Sequence, residues 1–307
     1  MNKLKPKTLG AIPTTPWRFI FFITKVHKKW AILAIVAVII AAVVNSGASY
    51  FFKLIVDAVE ANDLEAAMFW GLLYPVVVFL NQITYRVSGY AGAHWENGSN
   101  KAALDTLTKY LMDHSHSFFI DRFAGSITNK LRNVTGAFEN IIPDFLWAHL
   151  NSLVSFLVTF ALIMSVDAKS AGLFLALLVA LFLVNKKFAP GKTVVSKASA
   201  EAGTKLQGRT VDVLSNISTV RQYVKRDYEL EQLQILTTNK SKKGIANWLY
   251  TEKLLLINSA VLFVFALGMF WLLVSEWGKG GISTGDFVLV LALVSNITNS
   301  LLFVGRA

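Results

Sequence analysis

Residues 173–193 read LFLALLVALFLVNKKFAPGKT. The last five, Ala189-Pro190-Gly191-Lys192-Thr193, look like the end of a phosphate-cradling loop, while Leu173–Val184 form an unbroken apolar run. Such a loop needs G-x-x-x-x-G-K-[ST], because the first glycine folds the chain back and turns successive backbone N–H groups onto the phosphates. Lys186 stands at that first position. The loop should also follow a buried strand, whereas this one follows the apolar run and sits among Lys186, Lys187, Lys192 and Lys197. The stretch therefore reads as the basic end of a membrane span, and the rest of the chain is read from there.

Of 307 residues, 54% are hydrophobic and 16% charged, against about 25% charged in an ordinary soluble domain. So apolar a chain cannot keep its surface in water. Further apolar runs at about 30–54, 66–88, 143–166, 170–188, 254–275 and 284–305 approach the roughly 20 residues needed to cross about 30 Å of hydrocarbon. The chain is expected to be a polytopic membrane protein with six spans. Trp30–Val44 lacks a small-residue cleavage site and is expected to stay as the first span rather than be removed as a signal peptide. The absence of cysteine excludes disulfides, metal thiolates and a thiol nucleophile. A net charge of +11 raises nucleic acid as a partner, but binders of that kind gather their basic residues on one soluble surface. Here they alternate with apolar runs, so no nucleic-acid partner is expected.

The alternation sets the topology. The N-terminal tail holds seven Lys and Arg (Lys3, Lys5, Lys7, Arg18, Lys25, Lys28, Lys29), the stretch from Arg86 to Arg132 holds six, and that from Lys186 to Lys253 holds thirteen. The other connections hold only Lys53, Lys169 and Lys279. By the positive-inside rule the tail and both long connections are expected to be cytoplasmic, and a multi-pass plasma-membrane location is expected. Connections this long without structure would be unusual, and these carry helical period, as in Leu104, Leu107, Leu111 and in Val211, Leu214, Ile217. No proline falls between Pro75 and Pro143 or after Pro190. Spans two to five are thus expected to continue into the cytoplasm as long helical rods. Residues 1–29 form a cytoplasmic tail, in which Trp17–Trp30, WRFIFFITKVHKKW, reads either as an interfacial elbow helix or as an ordinary basic flank. Residues 30–307 form the membrane domain.

Three segments carry a family likeness. His116–Leu131, HSFFIDRFAGSITNKL, resembles the "FF–x4–G–x–[IL]–x3–[IL]" segment between the second and third spans of type I exporters of the ATP-binding cassette (ABC) class. Glu201–Glu231, with KLQGRTVDVLSNISTVRQYVKRDYELE, resembles that family's second loop, and GGISTGDFV at 280–288 resembles the turn that opens its sixth span. They occur in the right order and spacing across residues 17–307. The departures are mild: Asp212 where the family more often has Glu, and Ile120 where an aspartate commonly follows the aromatic pair. No Walker or signature motif is present. The resemblance implies an all-α membrane protein of the type I ABC exporter fold, with six transmembrane helices and long cytoplasmic extensions. It implies no catalytic, cofactor or metal residues in this chain; ATP and Mg would belong to a nucleotide-binding domain attached downstream or made separately. Whether any enzyme activity goes with the chain depends on that domain. The implied partners are that domain, a second half-transporter (homo- or heterodimer), membrane lipid and an exported substrate.

In that family, coupling helices at the rod tips pass ATPase motion to the spans. The resemblance places the first at Phe118, Phe119, Asp121, Arg122 and Phe123, and the second at Ile217, Val220, Arg221 and Tyr223. Each offers an aromatic or aliphatic knob with a polar rim, the form that seats in a groove. The competing reading is that these side chains pack rod against rod. Gly125 after the first knob would end the short helix. At membrane depth, Asn45, Asn81, Gln82, Asn151, Asn258, Asn296 and Asn299 are candidates for cavity lining, because buried polar groups need partners or water; amides also glue helices together in bilayers. Lys53 and Asp57 are expected as an i,i+4 pair.

Other classes find less. A proton-coupled permease of the same helix arrangement is the alternative, but it calls for a carboxylate in the middle of a span, and none is found. A membrane scaffold would explain the spans and leave the loop motifs unexplained. His114 and His116, two apart, point in different directions on a helix and lack a third ligand for a metal.

Overall fold

The computed structural model describes residues 12–115, 118–119 and 124–304, with the side chains of 124–126 and 297–304 left aside. Every regular element among these residues is helical. Pro16 opens α1 (Pro16–Thr24) at a first-turn position where its missing N–H costs nothing. A 3₁₀ turn at Lys25–His27 leads into α2 (Lys28–Gly47), and a break at Ala48 separates α2 from α3 (Ser49–Glu60). Asn62 takes a left-handed φ of 55°, and Asp63 accepts the Ala66 N–H at 2.9 Å to cap α4 (Leu64–Met112). Then follow α5 (Ala124–Pro143), a π-helical stretch Asp144–Leu150, and α6 (Asn151–Val166). Asp167 caps α7 (Ala168–Ser215) by accepting the Ser170 amide at 2.7 Å and hydroxyl at 2.8 Å. The short α8 (Ile217–Gln222), the long α9 (Arg226–Gly278) and α10 (Thr284–Val304) complete the chain.

At 1.5 Å per residue, the 49, 48 and 53 residues of α4, α7 and α9 run about 72–80 Å. That is more than twice the hydrocarbon thickness, so the expected rods are present. Among the described residues, five helical runs are long and apolar enough to cross a membrane: Pro16–Glu60, Leu64–Met112, Ile127–Val166, Ala168–Ser215 and Arg226–Gly278. The sixth expected span is α10, 21 residues long, of which the part with described side chains, Thr284–Asn296, is shorter than a span.

The chain divides into two compact units. One holds α1–α6 and α10; the other holds α7–α9. In the first, α2 turns a face of small residues inward (Ala31, Ala34, Ala37, Ala41, Ala42) while Ile32, Val36 and Ile40 stay exposed. α4 likewise buries small residues, Ser88, Ala91, Gly92, Ser99 and Ala103. Small residues let helix backbones approach where lipid supplies no hydrophobic drive. The core continues through Phe19 and Ile23 of α1, Trp95 of α4, Phe138 and Ile142 of α5 and Leu146. The Trp17–Trp30 segment thus divides among a short docked helix, a turn and the first residues of α2, with Trp17 and Phe21 exposed on the outside of α1.

Candidate functional site

The two loop motifs lie at the ends of rods. At the C-terminal end of α4 a ladder of rings forms: Tyr110 lies 4.6 Å from His114, His114 4.2 Å from Phe118, and Phe118 5.3 Å from Phe119, centroid to centroid. His114 donates from Nδ1 to the Tyr110 carbonyl at 2.8 Å, which fixes its ring in this ladder. Phe119 stays exposed. Asp121, Arg122 and Phe123 lie outside the described residues.

The second motif is described throughout. Asn216 ends α7 and precedes α8, its amide donating to the Asp212 carbonyl at 2.9 Å. α8 is a single six-residue helix, closed by the Lys225 N–H donating to Val220 O at 3.0 Å. Val224 then takes a left-handed φ of 53°, a conformation that costs a β-branched residue about 1–3 kcal/mol and needs a supporting frame. On either side of this turn, Arg209 pairs with Asp212 on its own helix at 3.0 Å and with Glu229 of α9. The ion pair ties the feet of the two rods on either side of α8. Ile217 and Arg221 are exposed, Val220 is half-buried, and Tyr223 and Val224 are 72% and 87% exposed. Arg209, Glu229 and Val224 were not singled out by sequence. The pair of opposite charges flanking the motif was the available signal, but pairing across a turn is invisible until the rods are antiparallel.

The seven amides scatter. Asn151 accepts from Tyr85 Oη at 3.3 Å, and Asn296 donates to Ser49 Oγ at 3.1 Å. Asn258 and Asn185 exchange hydrogen bonds at 3.5 Å between α9 and α7. Asn81 is buried and its Oδ1 has no partner, while Asn45 and Gln82 are exposed. The Asn299 side chain lies outside the described residues. Asn258 belongs to the second unit and the rest to the first. The Lys53–Asp57 pair forms at 3.8 Å, but Lys53 bonds more closely to Asp286, a partner that sequence spacing did not reveal.

The GKT stretch lies in mid-helix. Gly191, Lys192 and Thr193 are inside α7, with no strand before them. Lys192 donates to Asn247 Oδ1 at 2.9 Å and Thr251 Oγ1 at 2.6 Å, and Ser196 shares Asn247 Oδ1 at 3.0 Å. Tyr250 Oη donates to the Phe188 carbonyl at 3.0 Å and lies against Gly191, where a Cβ would strike it. What looked like a phosphate loop is a polar clasp between α7 and α9, built beside Pro190, whose missing N–H weakens the helix ladder at that turn. Among the described residues no group of His, Asp and Glu is arranged to hold a metal. The family model for the ABC transporter transmembrane region matches residues 31–301, most of the chain.

Proposed function

The chain belongs to the family of ABC transporter transmembrane regions, and we propose that it is the translocation domain of an ATP-driven exporter, coupled through α8 and the Phe118–Phe119 segment to a nucleotide-binding domain. ATP and Mg act on that domain. The observation that carries this reading is the tip of α7–α9: a six-residue helix presenting Ile217 and Tyr223 outward from two rods whose feet Arg209 and Glu229 hold together. A knob that merely packed rod on rod would be covered. An exposed apolar knob on a rigid mount is the form that seats in a partner's groove and transmits its motion. The basic segments support an orientation with the tail and rod tips in the cytoplasm of a plasma-membrane protein, and the family generally works as two half-transporters.

The test uses the complete transporter with its ATPase. Phe119→Ala and Tyr223→Ala are expected to leave the melting temperature of the membrane domain unchanged. ATP hydrolysis should persist, while the ATP-dependent change in tryptic cleavage of the rods falls by about tenfold, as for loss of an interface anchor. A lowered melting temperature with normal coupling would reject the assignment in favour of rod packing. Transport that follows a proton gradient without ATP would favour the permease.

A further inference from the structure

α2 carries the first unit from α1 to α3, and at that far end α3 meets the start of α10. Ser283 caps α10: its Oγ accepts the Asp286 N–H at 3.0 Å, and the Asp286 carboxylate accepts the Ser283 N–H at 3.1 Å. This reciprocal capping box would suffice for the helix alone. Asp57 of α3 adds a second anchor, accepting the Ser283 hydroxyl at 2.8 Å and the Gly285 N–H at 3.0 Å, a place where the helix dipole favours negative charge. Lys53, one turn earlier on α3, lies between the two carboxylates, bonded to Asp286 and 3.8 Å from Asp57. Gly285 is what lets the helices approach: a Cβ there would lie 2.6 Å from the Lys53 carbonyl and strike the Asp57 carboxylate.

The joint is polar where its surroundings are apolar. Leu289, Val290 and Leu293, the next turns of α10, are fully buried. The latch side chains of Lys53, Asp57 and Asp286 keep 20%, 33% and 15% of their surface exposed. Polar contacts at a wet end exchange for hydrogen bonds to water at small net cost, whereas separating apolar surface does not. α3 is also set off from α2 by the break at Ala48, next to Gly47, whose Cβ position is open. These are the properties of a contact made to part and re-form.

We propose that Lys53 and Asp57 form a releasable latch on α10, engaged with Asp286, Ser283 and Gly285 while this end of the transporter is closed and parted when it opens. The proposal rests on the exporter reading above, with this end facing outward. This chain has no cysteine, so with any cysteine of the ATPase replaced, a single Leu289→Cys reporter in the complete transporter can be followed in lipid nanodiscs, where both faces of the bilayer meet the solvent, with a water-soluble maleimide. The reporter is expected to react slowly without nucleotide and faster under ATP turnover. Adding Lys53→Met, or Gly285→Ala as an uncharged wedge, should raise the nucleotide-free rate by about threefold or more, and Lys53→Arg should keep it near the parent's. A Lys53→Met protein that labels as slowly as its parent overturns the latch. So does one whose labelling rises equally at a Leu146→Cys reporter elsewhere in the unit, which would mean general loosening. If ATP leaves the parent reporter unchanged, the exporter reading fails and the latch falls with it.

Discussion

The two units of the chain are held together by different physics. In the first, several helices enclose a centre, and large side chains such as Phe138, Leu146 and Ile163 reach near-zero exposure. In the second, α7 and α9 lie along each other as a long hairpin with α8 at its tip. Their shared apolar seam, Phe174, Leu177, Leu181, Leu262, Phe265, Met269 and Leu273, covers one face of each helix, while Leu256, Phe263 and Trp271 stay exposed. Polar contacts are spaced along the hairpin: Lys169 with Glu276 at 2.9 Å, Asn185 with Asn258, Lys192 with Asn247 and Thr251, and Arg209 with Glu229. A cluster of helices can fix its geometry by packing. Two long helices can slide along an apolar seam, and spaced hydrogen bonds hold their register.

The comparison breaks if a core truncation in the first unit is mild. Phe138→Ala removes a ring that is 2% exposed and packed edge-on against Phe19 at 6.4 Å; it should cost about 3–5 kcal/mol and release α1, seen as a lower melting temperature with faster proteolysis near Arg18. A smaller effect is expected in the hairpin. Lys192→Met leaves Asn247 still accepting from Ser196, so the loss should be about 1–3 kcal/mol. Its signature is slippage rather than unfolding: faster disulfide trapping of out-of-register cysteine pairs between α7 and α9, with little change in helix content. Equal destabilisation by the two substitutions would erase the distinction.

The smallest effect concerns where the hairpin starts. Burial pushes the Asp167 carboxyl up, but the Ser170 amide and hydroxyl and the nearby Lys169 outweigh it and hold the group below its ordinary 3.8. A carboxylate depressed on folding contributes stability above its unfolded value and loses it as pH falls through the folded value. The cap on α7 should therefore be intact at neutral pH and fail only below about 3.8, the ordinary value. Asp167→Asn keeps a capping oxygen but loses the charge at the helix N-terminus, so it should cost about 0.3–1 kcal/mol at neutral pH and flatten that acid limb of the melting-temperature profile; an unchanged limb would mean that the Asp167 carboxylate contributes nothing to it.

Much of the fold was legible as sequence because membrane helices announce themselves by length and composition. The apolar runs and helical period of the long connections gave the rods, and the three loop motifs gave the family. Boundaries were less legible. The first run did not reveal the break at Ala48, since Ser46, Gly47 and Ser49 suit a membrane helix as well as a turn. The loop motifs named Ile217 and Tyr223 but not Arg209 and Glu229, whose roles depend on a partner on the other rod.

Charge, apolar length and motif spacing are properties of neighbours in the chain, and by themselves they determined the helical class, the rods and the rod-tip segments. Pairings between residues far apart were decided only by tertiary structure: Lys53 with Asp286, Lys192 with Asn247, and Asn258 with Asn185. A lysine after an apolar run reads the same in sequence whether it meets phosphate, water or an asparagine two helices of chain away. Which of these it meets is set by the angle and register at which helices pack, and those follow from small residues, close approaches at Gly191 and Gly285, and caps acting together.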